Sequence, residues 1–483
     1  MADTLKEKTA KGLFWGGVSN GVQQLLNLLF GIFLARMLTQ ADYGMVGMLA
    51  IFSTVASSIQ EGGFISALNR RKHISDIDYC SVFWLCAGIS LVIYVLLYFS
   101  APLIARFYNE PELIPLSRVL FVGFFISCLG IVPGAYIFRN MMVRQTAIIT
   151  FLSQLISGLI AIVVVYYGYA YWGIVIQTLV YVSLVTLLRY YFSGWRPRLS
   201  FSMQPVREMF AFGSKLMITN VFSAINNNLI SVVLGRLYTP SDVGNFTQAN
   251  KWNFMGWSLI NNMLNSIAQP VFARTEDDVE RQKRIFRKLL RFTAFVSFPA
   301  MMGLALVAKE FIVILLTEKW LESAQMMQIL CVAGSFMPIS WLFSNLIIGR
   351  GHSTTFMWCT VMQCVVLLVS VCVAAPFGIY TMILALVSIN VLWTMVWFYF
   401  AHAEIHLSPV EALKDVCPFL VVSIMVMAAT WFMTRGISNL ILLLVVRILM
   451  ASVLYFLLLK LAHAVILDEC LQFLLKKKRS ALN

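Results

Sequence analysis

Fourteen apolar runs, each long enough to cross a bilayer as a helix, dominate this 483-residue chain. A crossing needs about 20 mostly apolar residues, and inside hydrocarbon only a helix or a closed barrel satisfies its own backbone. The runs cover residues 12–35, 43–67, 80–104, 116–138, 146–167, 170–192, 209–233, 244–272, 292–309, 325–348, 356–375, 378–400, 416–434 and 437–459. The connections between them are short, so no extramembrane domain is expected. The expected fold is an all-α polytopic membrane protein. With 60% hydrophobic and 12% charged residues the composition agrees, since a soluble domain carries about 25% charged residues. The polar start, Met1 to Lys11, runs directly into a full-length apolar segment. That pattern is a first span rather than a cleaved signal peptide.

The net charge of +14 admits a nucleic acid, a membrane surface or an anionic substrate as partner, and placement decides among them. Most of the 36 Lys and Arg lie on the side that carries the N-terminus. The other side holds Arg36, Arg106, Arg118, Arg236, Lys309, Lys319 and Arg435, and Lys215, Lys251 and Arg447 lie within spans. The positive-inside rule then puts both termini in the cytoplasm, in accord with an even number of spans. Ala273–Phe292 reads as a basic amphipathic helix on the membrane surface and Leu471–Arg479 as a polybasic anchor for anionic lipid. Neither indicates nucleic acid.

The chain repeats itself at an offset of 200 residues. Leu34-Ala35-Arg36-Met37-Leu38-Thr39-Gln40-Ala41-Asp42-Tyr43-Gly44 aligns with Leu234-Gly235-Arg236-Leu237-Tyr238-Thr239-Pro240-Ser241-Asp242-Val243-Gly244. Asn20, Asn27 and Leu29 match Asn220, Asn227 and Leu229, and Ser58 and Ser66 match Ser258 and Ser266. The offset joins two odd-numbered spans, so the halves are parallel six-span repeats about an axis normal to the membrane. The expected organisation is an N-lobe at 1–200, a C-lobe at 201–410, and two further spans with a basic tail at 411–483. Thr39/Asp42 and Thr239/Asp242 have capping-box spacing, with Pro240 at the first helical position. Arg36 and Arg236 close spans 1 and 7, where the helix dipole favours a cation, and they also face the mouth between the lobes.

Polar residues inside spans face a hydrated cavity or another helix. Span 8 carries Gln248, Lys251, Ser258, Asn262, Asn265 and Gln269 within about 100° of helix circumference. Span 1 carries Asn20, Gln23, Gln24 and Asn27. Span 7 carries Lys215, Thr219, Asn220, Ser223, Asn226 and Asn227, and span 2 adds Thr54, Ser57, Ser58 and Glu61. Interhelical hydrogen bonding explains part of this inventory, and a hydrated, net cationic cavity explains it better. Glu61 fits an inner gate with Lys215, a proton carrier or a structural ion pair. Arg447 has no acidic partner in spans 13 or 14, which leaves a lipid phosphate, snorkelling or a backbone carbonyl.

Several chemistries are missing from the sequence. The nine cysteines form no CxxC pair and read as small core hydrophobes, and the five histidines show no metal-binding spacing. Gly349-Arg350-Gly351-His352-Ser353-Thr354 lacks the Gly-Lys-Ser/Thr of a phosphate loop. No paired carboxylates or nucleophile–base sets occur. A secondary transporter, not an enzyme, remains.

The segments LARMLTQADYGMVGM, QEGGFISALNRRK and IAQPVFARTEDDVERQKRIFRKLLRFTAFVSFP, in that order, resemble the Wzx-type polysaccharide flippases, specifically the WzxC-like exporters of the multidrug/oligosaccharidyl-lipid/polysaccharide (MOP) superfamily. The resemblance implies a MATE-like fold of two six-helix lobes plus two helices, alternating between inward- and outward-open states. It also implies an undecaprenyl-pyrophosphate-linked oligosaccharide as substrate, moved across the bacterial inner membrane for lipopolysaccharide or exopolysaccharide synthesis. Membrane lipids and the polysaccharide polymerase machinery are the implied partners. No cofactor is expected beyond a coupling proton or sodium ion. In-span amides suit sugar hydroxyls, and Lys215 and Lys251 suit a pyrophosphate, where related flippases often carry arginines. A multidrug antiporter of the same superfamily is the alternative.

Overall fold

The computed structural model describes residues 5–61, 74–274, 278–462 and 466–467, with side chains described outside 5–20, 60–61, 204–213, 215–216, 265–271 and 273–274. Sixteen α-helices occur among the described residues. They are α1 (Leu5–Met37), α2 (Gln40–Glu61), α3 (Asp76–Tyr108), α4 (Leu113–Leu129), α5 (Ile131–Arg139), α6 (Val143–Tyr166), α7 (Trp172–Ser193) and α8 (Met203–Leu237). The chain continues with α9 (Pro240–Arg274), α10 (Val279–Leu306), α11 (Ala308–Leu316), α12 (Leu321–Gly349), α13 (Ser353–Ala374), α14 (Ile379–Ile405), α15 (Pro409–Met433) and α16 (Leu440–Leu461). Twelve helical stretches among the described residues are long and apolar enough to cross a membrane, Leu113–Arg139 counting as one. The spans expected at 12–35 and 244–272 fall on α1 and α9. Both helices form, but polar residues hold α9 below that apolarity, and the apolar stretch described on α1 is Gly21–Met37.

Backbone contacts divide the chain into two compact units, Met1–Gly244 and Asn245–Asn483. In the first unit α1 packs on α6, α2 on α8, α3 on α4 and α6 on α7. The seventh expected span, α8, therefore sits with the helices of the first repeat. The connection that precedes it is strapped to the start of α3. Trp195 donates from Nε1 to Asp76 at 3.0 Å, and Arg198 pairs with Asp76 at 3.2 Å. Trp84 donates to the Arg198 carbonyl at 2.8 Å, and the Ser202 amide donates to Ser81 Oγ at 2.9 Å.

The two turns of the 200-residue repeat fold alike. The Thr39 amide and hydroxyl donate to Asp42 Oδ2 at 2.8 and 2.7 Å, and the Asp42 amide donates back to Thr39 Oγ1 at 3.3 Å. The corresponding distances for Thr239 and Asp242 are 3.0, 2.7 and 3.3 Å. Both are closed capping boxes, which tie up donors that a helix start leaves unpaired.

The expected fourth span is broken at Gly130 into α4 and α5. A break in hydrocarbon frees backbone carbonyls that need donors. Helix α7 meets this need: Thr186 Oγ1 donates to the Ile126 carbonyl at 3.2 Å, and Arg189 Nη1 adds a second donor, at 3.1 Å, to the Gly130 carbonyl, which also accepts from the Gly134 amide at 3.0 Å.

In the second unit α12 packs on α10 and α14, and α15 packs on α10 and α16. The core joins Phe272, Phe286, Phe298, Leu342, Phe343, Trp397 and Phe419. From Val279 on, the segment expected to lie on the membrane surface continues without a break into the ninth span as one 28-residue helix, α10; residues 275–277 lie outside the described residues. One face of its basic start pairs within the protein, while Arg281 and Arg284 are exposed. Arg287 donates to Asp415 through Nε at 2.7 Å and to Glu411 at 2.8 Å. Lys283 pairs with Glu411 at 2.9 Å and Arg291 with Asp415 at 3.4 Å. Arg350, beside the false phosphate loop, donates to Gln282 Oε1 through Nε at 2.9 Å.

Six of the eight described cysteines are buried as core hydrophobes; Cys372 is exposed, Cys417 is half-buried, and Cys470 lies outside the described residues. Outward faces are apolar: on α16 Ile441, Val445, Ile448, Leu449 and Val453 are exposed, while the buried stripe is Leu443, Arg447, Ala451, Tyr455 and Leu459. Such an inverted helix belongs in lipid.

Asp415 is buried and neutralised by Arg287, so Asp415→Ala leaves a half-buried guanidinium without its main partner. Loss of a buried partner costs on the order of 3 kcal/mol. The thermal unfolding midpoint of the detergent-solubilised protein is expected to fall for Asp415→Ala and to stay near wild type for the solvent-side change Arg281→Ala.

Candidate functional site

On α2 and α8 the polar residues divide into a seam and an exposed set. Ser58 Oγ donates to its own helix at Thr54 O, 2.8 Å, and reaches the Asn220 carbonyl at 3.4 Å. Asn228 Nδ2 donates to Thr54 Oγ1 at 3.1 Å and to the Ala224 carbonyl at 2.8 Å. These bonds join the helices. Asn228 was not singled out from the sequence, and a polar residue facing α2 one step past Asn227 is the signal that points to it. The side chains of Asn220 and Asn227 are exposed, and Gln24 and Asn27 on α1 are half-buried. The side chains of Asn20, Glu61 and Lys215 lie outside the described residues.

Arg36 and Arg236 are both exposed. Arg236 donates from Nη1 to the Phe107 carbonyl at 2.8 Å, and its guanidinium lies 5.6 Å from the centroid of that ring. It thus caps the carboxyl end of α3 as well as ending its own helix, both favourable places for a cation.

In the second unit the structure splits the stripe expected along α9. Lys251 is half-buried with its ammonium 6.0 Å from the Trp252 ring centroid, and Asn262 is exposed. Ser258 is buried and donates to the Met255 carbonyl at 3.2 Å. Gln248, by contrast, is 1% exposed, which removes it from any open surface in this conformation. The reason lies on its own helix face. Asn245, one turn earlier, donates to Glu322 Oε2 at 2.6 Å and accepts from Ser323 Oγ at 3.0 Å. Trp252, one turn later, meets Phe311 edge to face at 5.1 Å. Residues at i−3, i and i+4 share a face, so Gln248 is carried against α11 and α12 with its neighbours. Asn265 and Gln269 have side chains outside the described residues.

Arg447 does have an acidic partner, and it comes from outside spans 13 and 14. The guanidinium donates from Nη1 to Glu310 Oε1 at 2.9 Å and to the Leu306 carbonyl at 3.1 Å, and from Nε to Thr434 Oγ1 at 3.1 Å. Arg447 is 8% exposed and Glu310 3%. An inward-facing guanidinium bound to a carboxylate, a carbonyl and a hydroxyl docks α16 onto α11. Of the three contacts open to Arg447 from the sequence, the structure shows the backbone carbonyl, at Leu306, and adds a carboxylate, Glu310. Among the described residues, no cluster of His, Cys, Asp and Glu suits a metal ion.

What the described geometry offers is a half-buried lysine and exposed amides on membrane helices, with most other in-span charge neutralised. Amides exchange donors and acceptors with hydroxyl-rich ligands, and a lysine holds an anion.

Residues 33–325 match the family described as polysaccharide biosynthesis protein. The lipopolysaccharide biosynthesis protein WzxC of Escherichia coli K12 is 26% identical over 359 residues, 72% of this chain and 71% of that protein. Among solved structures, the lipid II flippase MurJ in an inward closed conformation superposes with TM-score 0.75 at 14% identity, over 92% of this chain and 98% of that one. An inward-facing multidrug resistance MATE family transporter of the MOP superfamily superposes with TM-score 0.64 at 17% identity, over 80% and 94%. The helical fold is thus the one expected from the sequence.

Two stability predictions follow from the buried groups. Arg447→Leu or Glu310→Leu alone strands a charge in a buried site, at about 3–5 kcal/mol, whereas the double replacement is far milder. Thermal unfolding of the four proteins forms the cycle, and additive single losses would show that the pair carries no coupling. Neither amide atom of Gln248 has a protein partner. Gln248→Met is expected to raise the unfolding midpoint by removing an amide that costs about 1–3 kcal/mol to bury unbonded.

Proposed function

We infer the function from one premise: this chain belongs to the polysaccharide biosynthesis protein family. It is a flippase that carries an undecaprenyl-pyrophosphate-linked oligosaccharide from the cytoplasmic to the periplasmic leaflet of the bacterial inner membrane. It does so by alternating access, in support of lipopolysaccharide or exopolysaccharide synthesis. The observation that carries this reading is the pairing of a MurJ- and MATE-like fold with cationic and amide groups on its polar helix faces.

A lipid-linked pyrophosphate must leave water, and its charge needs partners as it does so. Lys251 is such a partner on α9, and Lys215 lies on α8. Asn220, Asn227 and Asn262, with Gln24 and Asn27, suit the sugar hydroxyls. Arg36 and Arg236 hold the ends of the helices that line the mouth. The excess of Lys and Arg on one set of connections supports a chain of fourteen spans with both termini in the cytoplasm. A proton or a sodium ion supplies the energy, and a polysaccharide polymerase receives the delivered units.

Lys251→Ala and Lys215→Ala are expected to lower surface glycan in complemented null cells by about tenfold or more, the loss of one charge-assisted contact of 1.5–3 kcal/mol. Lys251→Arg is expected to retain export. Normal export by both alanine variants at wild-type protein levels removes the pyrophosphate-binding role. Drug resistance conferred by the wild-type protein without restored glycan would favour the multidrug alternative.

A further inference from the structure

The turn from α6 into α7 reads Tyr166-Tyr167-Gly168-Tyr169-Ala170-Tyr171-Trp172, five aromatic side chains in seven residues. Its backbone is tied down. The Tyr169 amide donates to the Val164 carbonyl at 3.3 Å and the Gly168 amide to the Val165 carbonyl at 2.9 Å. This pair of bonds closes a helix through a left-handed residue, here Gly168 at φ 87°. The Trp172 and Gly173 amides then donate to the Tyr169 and Ala170 carbonyls at 2.9 and 3.0 Å. On this frame Tyr166, Tyr167 and Tyr169 are 78%, 74% and 60% exposed. The rings of Tyr166 and Tyr167 stand 6.1 Å apart at 76°, so their faces point in two directions. At the far end of the turn the Tyr171 hydroxyl donates to Oε2 of the exposed Glu112 at 2.9 Å.

Charge decides what such a surface can hold. Between Arg144 and Arg189 the chain has no Lys, Arg, Asp or Glu, so the turn brings no cation of its own to a lipid phosphate. Burial first, then Glu112 and more weakly Asp42, push the Tyr171 phenol above its usual range, so it stays a donor. An anionic headgroup would meet two carboxylates there. The end of α15 is different: the Arg435 guanidinium lies 3.7 Å from the Trp431 ring centroid, the pairing of ring and cation that suits a membrane interface. A sugar fits the tyrosine turn instead. The C–H face of a pyranose is apolar and stacks on the electron-rich face of an aromatic ring, while its hydroxyls bond to phenols and carboxylates. Tyrosine offers that contact area at low conformational cost.

We propose that the Tyr166–Trp172 turn, with Glu112, is a carbohydrate-binding platform on the face opposite the basic connections, and that it takes the oligosaccharide part of the substrate. Its side and its ligand rest on the flippase reading above. Tyr166, Tyr167 and Tyr169 supply the stacking faces, and Glu112 accepts from sugar hydroxyls.

The test uses the full-length protein in lipid nanodiscs, with meta-fluorotyrosine at one position at a time and fluorine NMR as the readout. The probe is the oligosaccharide released by mild acid from the lipid-linked pool of null cells. Titrated through the millimolar range, it is expected to give a saturable shift at Tyr167 and at Tyr169 and none at Tyr191, an exposed tyrosine at the other end of α7. Tyr166→Ala with Tyr167→Ala is expected to abolish saturation at Tyr169, and Tyr166→Trp with Tyr167→Trp to keep it. Both positions are exposed, so an unchanged unfolding midpoint separates lost stacking from lost folding. No saturable shift at Tyr167 and Tyr169 overturns the proposal, as does an equal shift at Tyr191 or saturation that survives the double alanine variant. A response to the phosphatidylglycerol content of the disc in place of the sugar identifies an interfacial anchor and also overturns it. Export is scored separately in complemented cells: if the wild-type protein restores no glycan, the flippase reading falls, while the fluorine shifts still decide whether the tyrosines hold a sugar.

Discussion

Hydrocarbon offers no hydrogen bonds, and the arrangement of polar groups follows from that one constraint. A backbone break or an in-span polar side chain that neither finds a partner in the protein nor faces water carries a free-energy cost, as Gln248 does. The interruption at Gly130 is tolerated because Thr186 reaches the Ile126 carbonyl and Arg189 adds a donor at the Gly130 carbonyl. Arg447 is tolerated because Glu310, Thr434 and the Leu306 carbonyl surround it. The basic start of α10 is tolerated beside α15 because Glu411 and Asp415 meet it.

The same constraint sorts the polar inventory into bonded and open parts. Thr54, Ser58 and Asn228 are spent on joining α2 to α8, and Asn245, Glu322 and Ser323 on joining α9 to α12. Among the described residues Lys251, Asn262, Asn220 and Asn227 stay open, with Gln24 and Asn27 partly covered. A substrate that is both hydroxylated and anionic matches this remainder better than a cationic one, which would require carboxylates in their place.

The helical fold was legible because its signal is local. Runs of about 20 apolar residues mark their own spans, and the Thr-x-x-Asp spacing marks its own caps. What escaped was non-local. The partner of Arg447 lies 137 residues away on a nine-residue helix, and no periodicity connects the two. The continuity of α10 was hidden because its basic, amphipathic start and its apolar end look like separate elements in the sequence. At 100° per residue the polar residues of α9 alone define a stripe. Gln248 sits at its edge, and the buried Asn245 and Trp252 on the adjoining positions move it to the packed side. Asn227 and Asn228 differ by one position in face, and only the placement of α2 shows that Asn228 is the one that meets it.

The two repeat turns also bear on ancestry: a Cβ on Gly44 would overlap the Pro240 carbonyl oxygen, and one on Gly244 the Gln40 carbonyl oxygen. A contact in which residue 40 meets 244 and residue 44 meets 240 is what two copies of one surface make around a two-fold axis. A single six-helix chain able to pair with itself would already contain it, and duplication with fusion would carry it over intact. After fusion the two halves were free to diverge elsewhere, as Gln40 and Pro240 have. At the glycines that freedom ended, because a side chain gained on either copy would collide with the main chain of the other.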